Sequence, residues 1–195
     1  MRRYAKRIGA DFAVLDKSLR IPAHFAKFDL FTQLAKTDVD HVVYVDADVY
    51  IKEHAPPVTA IYSNAAFSEV PHPRTEWLNR SIQWIRENLV PDWPSDLYFN
   101  TGVIVLSGEK LQQLATLVSN ASPVPGLFFE QDQLNVLMRE AGFPQQKLSQ
   151  RWNQFCGRYW RSPTKLQEAY FLHGNGLGVG TQKFTRFRDV IKGVT

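Results

Sequence analysis

A single cysteine, Cys156, stands in 195 residues. That excludes an intrachain disulfide framework and a cysteine-rich zinc site. The lone thiol reads as a buried structural group and fits a reducing compartment. No apolar run approaches the roughly 18 residues that span a bilayer, and the N-terminus, MRRYAKRIGADF, lacks the apolar core of a secretory signal. A cytoplasmic protein is therefore the expectation, and the sequons at Asn79 and Asn120 would matter only in a secreted one. No block of Lys and Arg resembles a nucleic-acid arm, so no nucleic-acid partner is expected. Low-complexity segments and internal repeats are missing too, which leaves an ordinary globular chain of one domain, residues 1–195.

The net charge of +4 and a sequence pI near 9.2 describe a mildly basic surface. Dispersed charges of this kind are mostly solvated, with room for peripheral contact with an anionic membrane. Aromatic residues reach 13%, five of them Trp. They serve as core volume or as stacking faces, and Trp152 and Trp160 read as core.

Along the chain, RRYAKRIG reads as a short basic helix closed by Gly9 in the C-cap place. ADFAVLD (10–16) reads as a strand. HFAKFDLFTQLAK carries apolar residues at 25, 28, 31 and 34, a helical spacing. HVVYVDADVYI reads as a buried strand running into a turn, and SIQWIREN as a short helix. FNTGVIVLS (99–107) is a second buried strand, and EKLQQLATLVSNA a helix. FFEQDQLNVLMREAG is another helix, closed by Gly142. KLSQRWN and AYFLHG read as short strand-like pieces before the glycine-rich GNGLGVG loop. Alternating strands and helices, with buried strands seen as continuous apolar runs, predict an α/β fold with a largely parallel sheet flanked by helices. Ligands of such sheets sit at the carboxyl ends of strands, where Asp46, Asp48, Asn100 and His173 or their surroundings lie.

Asp46-Ala47-Asp48 places two carboxylates on one strand face, where they repel unless a cation or protons lie between them. Four readings compete. A surface turn conflicts with the apolar YVDADVYI context. A phosphatase of the haloacid-dehalogenase type would want Thr or Val where Tyr50 stands, and a later acidic Gly-Asp motif. A calcium loop needs alternating oxygen ligands around a central glycine, which 46–57 lack. The fourth is a divalent metal bridging a nucleotide diphosphate, since Mg²⁺ and Mn²⁺ take one or two carboxylates plus phosphate oxygens.

Five segments in order resemble the retaining glycosyltransferases of family 8, the glycogenin and lipopolysaccharide galactosyltransferase group, which has the GT-A fold. They are AKFDLF, VVYVDADVYI, FNTGVIVLS, EQDQLN and FLHG, with LSQRWN similar to a segment ending in Trp/Tyr-Asn. The resemblance implies a GT-A-like, Rossmann-related architecture and transfer of a hexose from a nucleotide sugar, UDP-linked, with Mn²⁺ or Mg²⁺. It implies Asp46, Asp48 and His173 as metal ligands and Lys27 on donor phosphate or sugar. Ala47 would touch the donor ribose, and Asn100-Thr101-Gly102 would form the donor-sugar strand. Glu130, Gln131 and Asp132 would be the catalytic group: Gln131 near the anomeric carbon, Glu130 on sugar hydroxyls or as a nucleophile. Gly176 and Lys183 would address the diphosphate. Taken alone, Asn100 could satisfy a turn, Glu130 could favour a helix dipole, His173 could be structural and Lys27 could lie on the surface.

Two departures qualify the resemblance. The family opens with a strand and loop that hold the nucleotide base, and this sequence joins the pattern at about residue 3, N-terminally short. An open sheet edge would follow, which a partner chain could cover, as in a homo-oligomer. The family also continues His-x-x-Gly-x-x-Lys, whereas position 179 is Val and the next lysine is Lys183. The alternative expectation is a catalytically incomplete GT-A-like binding or assembly module. The acceptor, whether glycan, protein or lipid, is not legible.

Overall fold

The computed structural model describes residues 1–15, 23–69, 76–94, 98–124, 126–143, 146–159, 162–175, 177 and 180–194. In chain order the helices are α1 (Arg2–Arg7), α2 (Ala26–Leu34), α3 (Glu76–Asn88), α4 (Gly108–Asn120), α5 (Glu130–Glu140), α6 (Cys156–Tyr159), α7 (Pro163–Glu168) and α8 (Gly180–Val194). The strands are β1 (His41–Val45), β2 (Val49–Ile51), β3 (Ala65–Glu69), β4 (Phe99–Ser107), β5 (Gln146–Leu148), β6 (Gln154–Phe155) and β7 (Phe171–His173). They form two sheets, ordered β1-β4-β3-β5 and β2-β7-β6.

The α/β class stands, with helices flanking the sheets, but the pairing corrects the largely parallel sheet. β1 and β3 both run antiparallel to β4, and β2 runs antiparallel to β7. The parallel pairings are β3–β5 and β6–β7. A continuous apolar run reports burial on both faces, and burial does not depend on the direction of the neighbours. In β4, Ile104 and Leu106 face a layer that includes Phe28, Phe31, Leu111 and Leu114, contributed by α2 and α4. Val103 and Val105 face Val49, Ile51 and Phe171 of the second sheet, with Trp152 and Tyr4. All four β4 side chains are fully buried; each such burial is worth about 1.5–3 kcal/mol.

Other expectations divide. Gly9 (φ 71) and Gly142 (φ 62) both adopt the left-handed backbone. Each helix end closes with the paired bonds of a Schellman motif: Gly9 N–H to Lys6 O and Ala10 N–H to Ala5 O, then Gly142 N–H to Arg139 O and Phe143 N–H to Met138 O. Residues 10–15 form no strand, and residue 16 lies outside the described residues. The run HVVYVDADVYI breaks into β1 and β2 around a turn, and β1 is half-exposed beyond Val42. KLSQRWN supplies β5 and a short 3₁₀ turn, Gln150–Trp152. Trp152 and Cys156 are buried as expected; Trp160 lies outside the described residues. Among the described residues, no helix is long and apolar enough to cross a membrane.

Candidate metal and donor site

Asp46 and Asp48 sit in the turn that carries the chain from β1 in one sheet to β2 in the other. Three backbone bonds fix its shape. Val49 N–H donates to Asp46 O (3.1 Å), Asp46 N–H donates to Gly102 O in β4 (2.8 Å), and Gly174 N–H donates to Asp48 O (2.9 Å). The carboxylates therefore share one place because the turn curls them together, not because of strand alternation as the sequence suggested. Ala47, at the tip, is exposed. His173 ends β7, which pairs with β2 in the register Val49 opposite His173.

Asp46, Asp48 and His173 each offer a ligand atom, and these lie within 4.8 Å of one another. His173 Nε2 is 3.3 Å from Asp48 Oδ1 and 4.0 Å from Asp46 Oδ2. Two ammonium groups face the same carboxylates: Lys183 Nζ lies 2.6 Å from Asp48 Oδ2, and Lys27 Nζ lies 3.4 Å from Asp46 Oδ1. Lys183 reaches Asp48 from α8, a helix not anticipated from the sequence. Burial would raise the Asp48 carboxyl, but the hydrogen bonds and charges of His173 and Lys183 outweigh it and hold it well below the usual carboxylate range.

Lys27 is buried, not on the surface. It projects from α2 into a cage of acceptors: Glu130 Oε1 at 2.7 Å, Thr101 Oγ1 at 3.1 Å and Thr101 O at 3.2 Å, with the Tyr44 ring 4.9 Å away. Burial works to lower its pKa, and the charges of Asp46 and Glu130, with the hydrogen bond to Glu130, more than reverse that, so the ammonium stays protonated well above its ordinary range. Tyr44 OH donates to Asp46 Oδ1 at 2.5 Å.

The amide side chains form a second cluster behind the carboxylates. Asn100 Oδ1 accepts from Gly102 N–H (2.9 Å) and from Asn153 Nδ2 (2.8 Å), while Asn100 Nδ2 donates to Gln131 Oε1 (2.9 Å). Gln131 Oε1 also accepts from Thr101 N–H (3.1 Å), and Gln131 Nε2 donates to Tyr98 OH (2.9 Å). Asn153 Oδ1 meets His173 Nδ1 at 2.8 Å. Gly102 makes room for this packing, since a Cβ there would lie 2.3 Å from His173 Cε1.

Asp132 turns away from the carboxylates. It is fully buried and accepts from Tyr98 OH (2.5 Å), Ser81 Oγ (2.5 Å) and Phe128 N–H (2.9 Å). This fastens α5 to α3 and to the start of β4. Phe129, just before Glu130, has φ 49, a rare conformation for a residue with a side chain. Its exposed ring stacks on His24 at 4.0 Å.

Of the residues picked out in the sequence, the structure gathers Lys27, Asp46, Asp48, Asn100, Thr101, Gly102, Glu130, Gln131, His173 and Lys183 into one connected constellation. Ala47 stands at its rim, Asp132 lies behind it, and Gly176 falls outside the described residues. Sequence reasoning missed Tyr44, Tyr98, Ser81 and Asn153. Tyr44 had a signal, since 44, 46 and 48 share one alternation but were read as an apolar run with two acids. Asn153 ends a segment noted without a role. Ser81, in α3, carries no local cue.

No family model matches the sequence, and no curated protein matches it. Solved structures do. One is a glycosyltransferase involved in the glycosylation of the major capsid of PBCV-1, with TM-score 0.62 and 15% identity, covering 97% of this chain and 88% of that one. The apo structure of the bifunctional glycosyltransferase WbbM has TM-score 0.56 and 17% identity, covering 89% of this chain and 36% of that one. The apo form of mouse xyloside xylosyltransferase 1 has TM-score 0.47 and 17% identity, covering 81% and 67%. The first two establish the architecture: a GT-A-like glycosyltransferase fold.

Proposed function

We propose that this chain is a retaining glycosyltransferase that moves a hexose from a nucleotide sugar, read as a UDP-sugar, with a divalent metal held by Asp46, Asp48 and His173. The observation that carries the reading is the convergence of those three ligand atoms within 4.8 Å on a GT-A-like fold. Two carboxylate oxygens and an imidazole nitrogen suit Mn²⁺, with Mg²⁺ as the harder alternative. When bound, such an ion neutralises the diphosphate leaving group as a Lewis acid.

The remaining roles follow from which polar groups are already committed. Lys27 spends its ammonium on Glu130, Asp46 and Thr101, so its work is to shape the acidic cluster. Lys183 is the more accessible cation, and a diphosphate beside the metal would draw it from Asp48. Asn100 and Gln131 each keep one amide N–H uncommitted among the described residues, by the inventory of an amide's two donors. Those two N–H groups, with the Glu130 carboxylate, are the set that addresses donor-sugar hydroxyls and the charge developing at the anomeric carbon.

The test is release of UDP from UDP-glucose, UDP-galactose and UDP-N-acetylglucosamine by the purified chain, with and without Mn²⁺. Slow Mn²⁺-dependent release from one donor, abolished in Asp48→Ala, is the expected result. Absence of both release and Mn²⁺-dependent UDP binding would refute the reading and leave a binding module on the same fold.

A further inference from the structure

We infer that Asn153 is a positioning residue that accepts from His173 Nδ1–H, holding a proton on that nitrogen and leaving Nε2 as the one turned to Asp46 and Asp48. The inference rests on the proposed metal reading of the site. A chain of hydrogen bonds, with its direction set from the backbone end, reaches His173 Nδ1.

The forcing comes from the backbone. Gly102 N–H can only donate, so the Asn100 atom that meets it is oxygen, 2.9 Å away. Thr101 N–H likewise requires oxygen at the near end of Gln131. With Asn100 Oδ1 fixed, the Asn153 atom 2.8 Å from it is nitrogen, and the opposite end of that amide, facing the histidine, is oxygen. A carbonyl oxygen 2.8 Å from His173 Nδ1 accepts a proton from it. If the proton sat on Nε2 alone, two lone pairs would face each other across that gap. Flipping Asn153 only moves the conflict to Asn100, and flipping Asn100 sets an NH₂ against the Gly102 N–H.

Water does not relieve the conflict easily, because Asn153 is 2% exposed and His173 4%. The ring also packs at right angles to Phe155, with centroids 5.3 Å apart, and so close to Gly102 that a Cβ there would strike it. Its rotation is thus restricted, and Nε2, not Nδ1, is the nitrogen aimed at the carboxylates. Partners of this kind, which bond the far nitrogen of a ligating imidazole, raise metal affinity about 10–100-fold.

The experiment is long-range ¹H–¹⁵N correlation of the histidine imidazoles, with His173 assigned by its loss in His173→Gln. Spectra are taken on the metal-free chain at alkaline pH, where imidazole is neutral, and with diamagnetic Mg²⁺. The expected pattern is a proton on Nδ1, retained in Asn153→Asp, which still accepts there although it gives up the bond to Asn100, and lost in Asn153→Leu, which cannot accept. In parallel, Mn²⁺ binding followed by the paramagnetic resonance of the free ion should weaken about 10–100-fold in Asn153→Leu. A wild-type Nδ1 without a proton, or an Nδ1 proton unchanged in Asn153→Leu, overturns the inference. Failure of the wild type to bind Mn²⁺ despite the expected tautomer would instead sink the metal reading and leave the tautomer assignment standing.

Discussion

Gly102→Ala adds one methyl group where the structure has no space for it. The new Cβ would lie 2.3 Å from His173 Cε1, 2.9 Å from His173 Nδ1 and 2.9 Å from Asn100 Oδ1. Carbon–carbon contacts are comfortable at about 3.5 Å, so the ring must recede by more than ~1 Å. Gly102 is not among the described glycines with left-handed backbone, so the effect is steric rather than conformational. Overpacking of this kind costs about 1–3 kcal/mol, and the displaced buried hydrogen bond to Asn153 adds about 1 kcal/mol. For a domain of this size, a total near 3 kcal/mol lowers Tm by about 6–12 °C. Mn²⁺ affinity should fall at least tenfold or so, because the imidazole leaves its aim. Calorimetry and metal titration read both effects. The deciding control is Gly102→Ala combined with His173→Ala, which removes the ring the methyl strikes. The double variant should recover most of the stability lost to the alanine at 102. If Gly102→Ala costs as much in the His173→Ala background as in the wild type, the reasoning is wrong.

Three further outcomes are expected. Lys27→Met leaves Glu130, 8% exposed, without its cation, and should destabilise the chain by about 3 kcal/mol in urea denaturation; Glu130→Gln added to it should restore a large part, and strict additivity of the two would contradict the pairing. Asp132→Asn leaves the partners Ser81, Tyr98 and Phe128 N–H with a weaker acceptor and should cost about 1–3 kcal/mol while leaving Mn²⁺ affinity near wild type; a selective loss of metal with stability intact would place Asp132 in the site instead. The Cys156 thiol is pushed up to about 12, by burial first and then by the charge of Asp48. It should ignore a disulfide-exchange reagent at neutral pH until the chain unfolds, and rapid labelling of the native protein would show that the thiol is reachable.

Much of this site was legible in the sequence because its polar residues interrupt apolar runs. Asp46 and Asp48 end one, Asn100 begins another and His173 ends a third, so each stood out against its neighbours. The helices around Phe28, Leu111 and Leu134 showed their periodicity for the same reason. Strand direction was not legible, since β4 is hydrophobic on both faces whatever its neighbours do. Residues 10–15 have strand-like composition but, among the described residues, no ladder partner to make them one. α8 went unread although Phe187, Val190, Ile191 and Val194 recur at helical spacing, and these are the residues that pack it against the second sheet's core. Asn153 and Tyr98 have roles that exist only across the fold, through links 20 and 53 positions long for Asn153 and 33 and 34 for Tyr98, and no local pattern announces such a link.

The Asp46–Asp48 turn is also the seam between the two sheets: β1 belongs to one, while β2 and His173 of β7 belong to the other. A cation held by all three ligands would act as a crosslink across that seam. Without it, the small three-stranded sheet, with strands of two and three residues, is held to the other by apolar packing, and its amides should exchange ahead of those in β4. With it, the two sheets become one cooperative unit, and amide protection in β7 should rise toward the global value. Loading the site would then be felt as slowed hydrogen exchange across β2, β6 and β7, far more than in the β4 amides that are already protected.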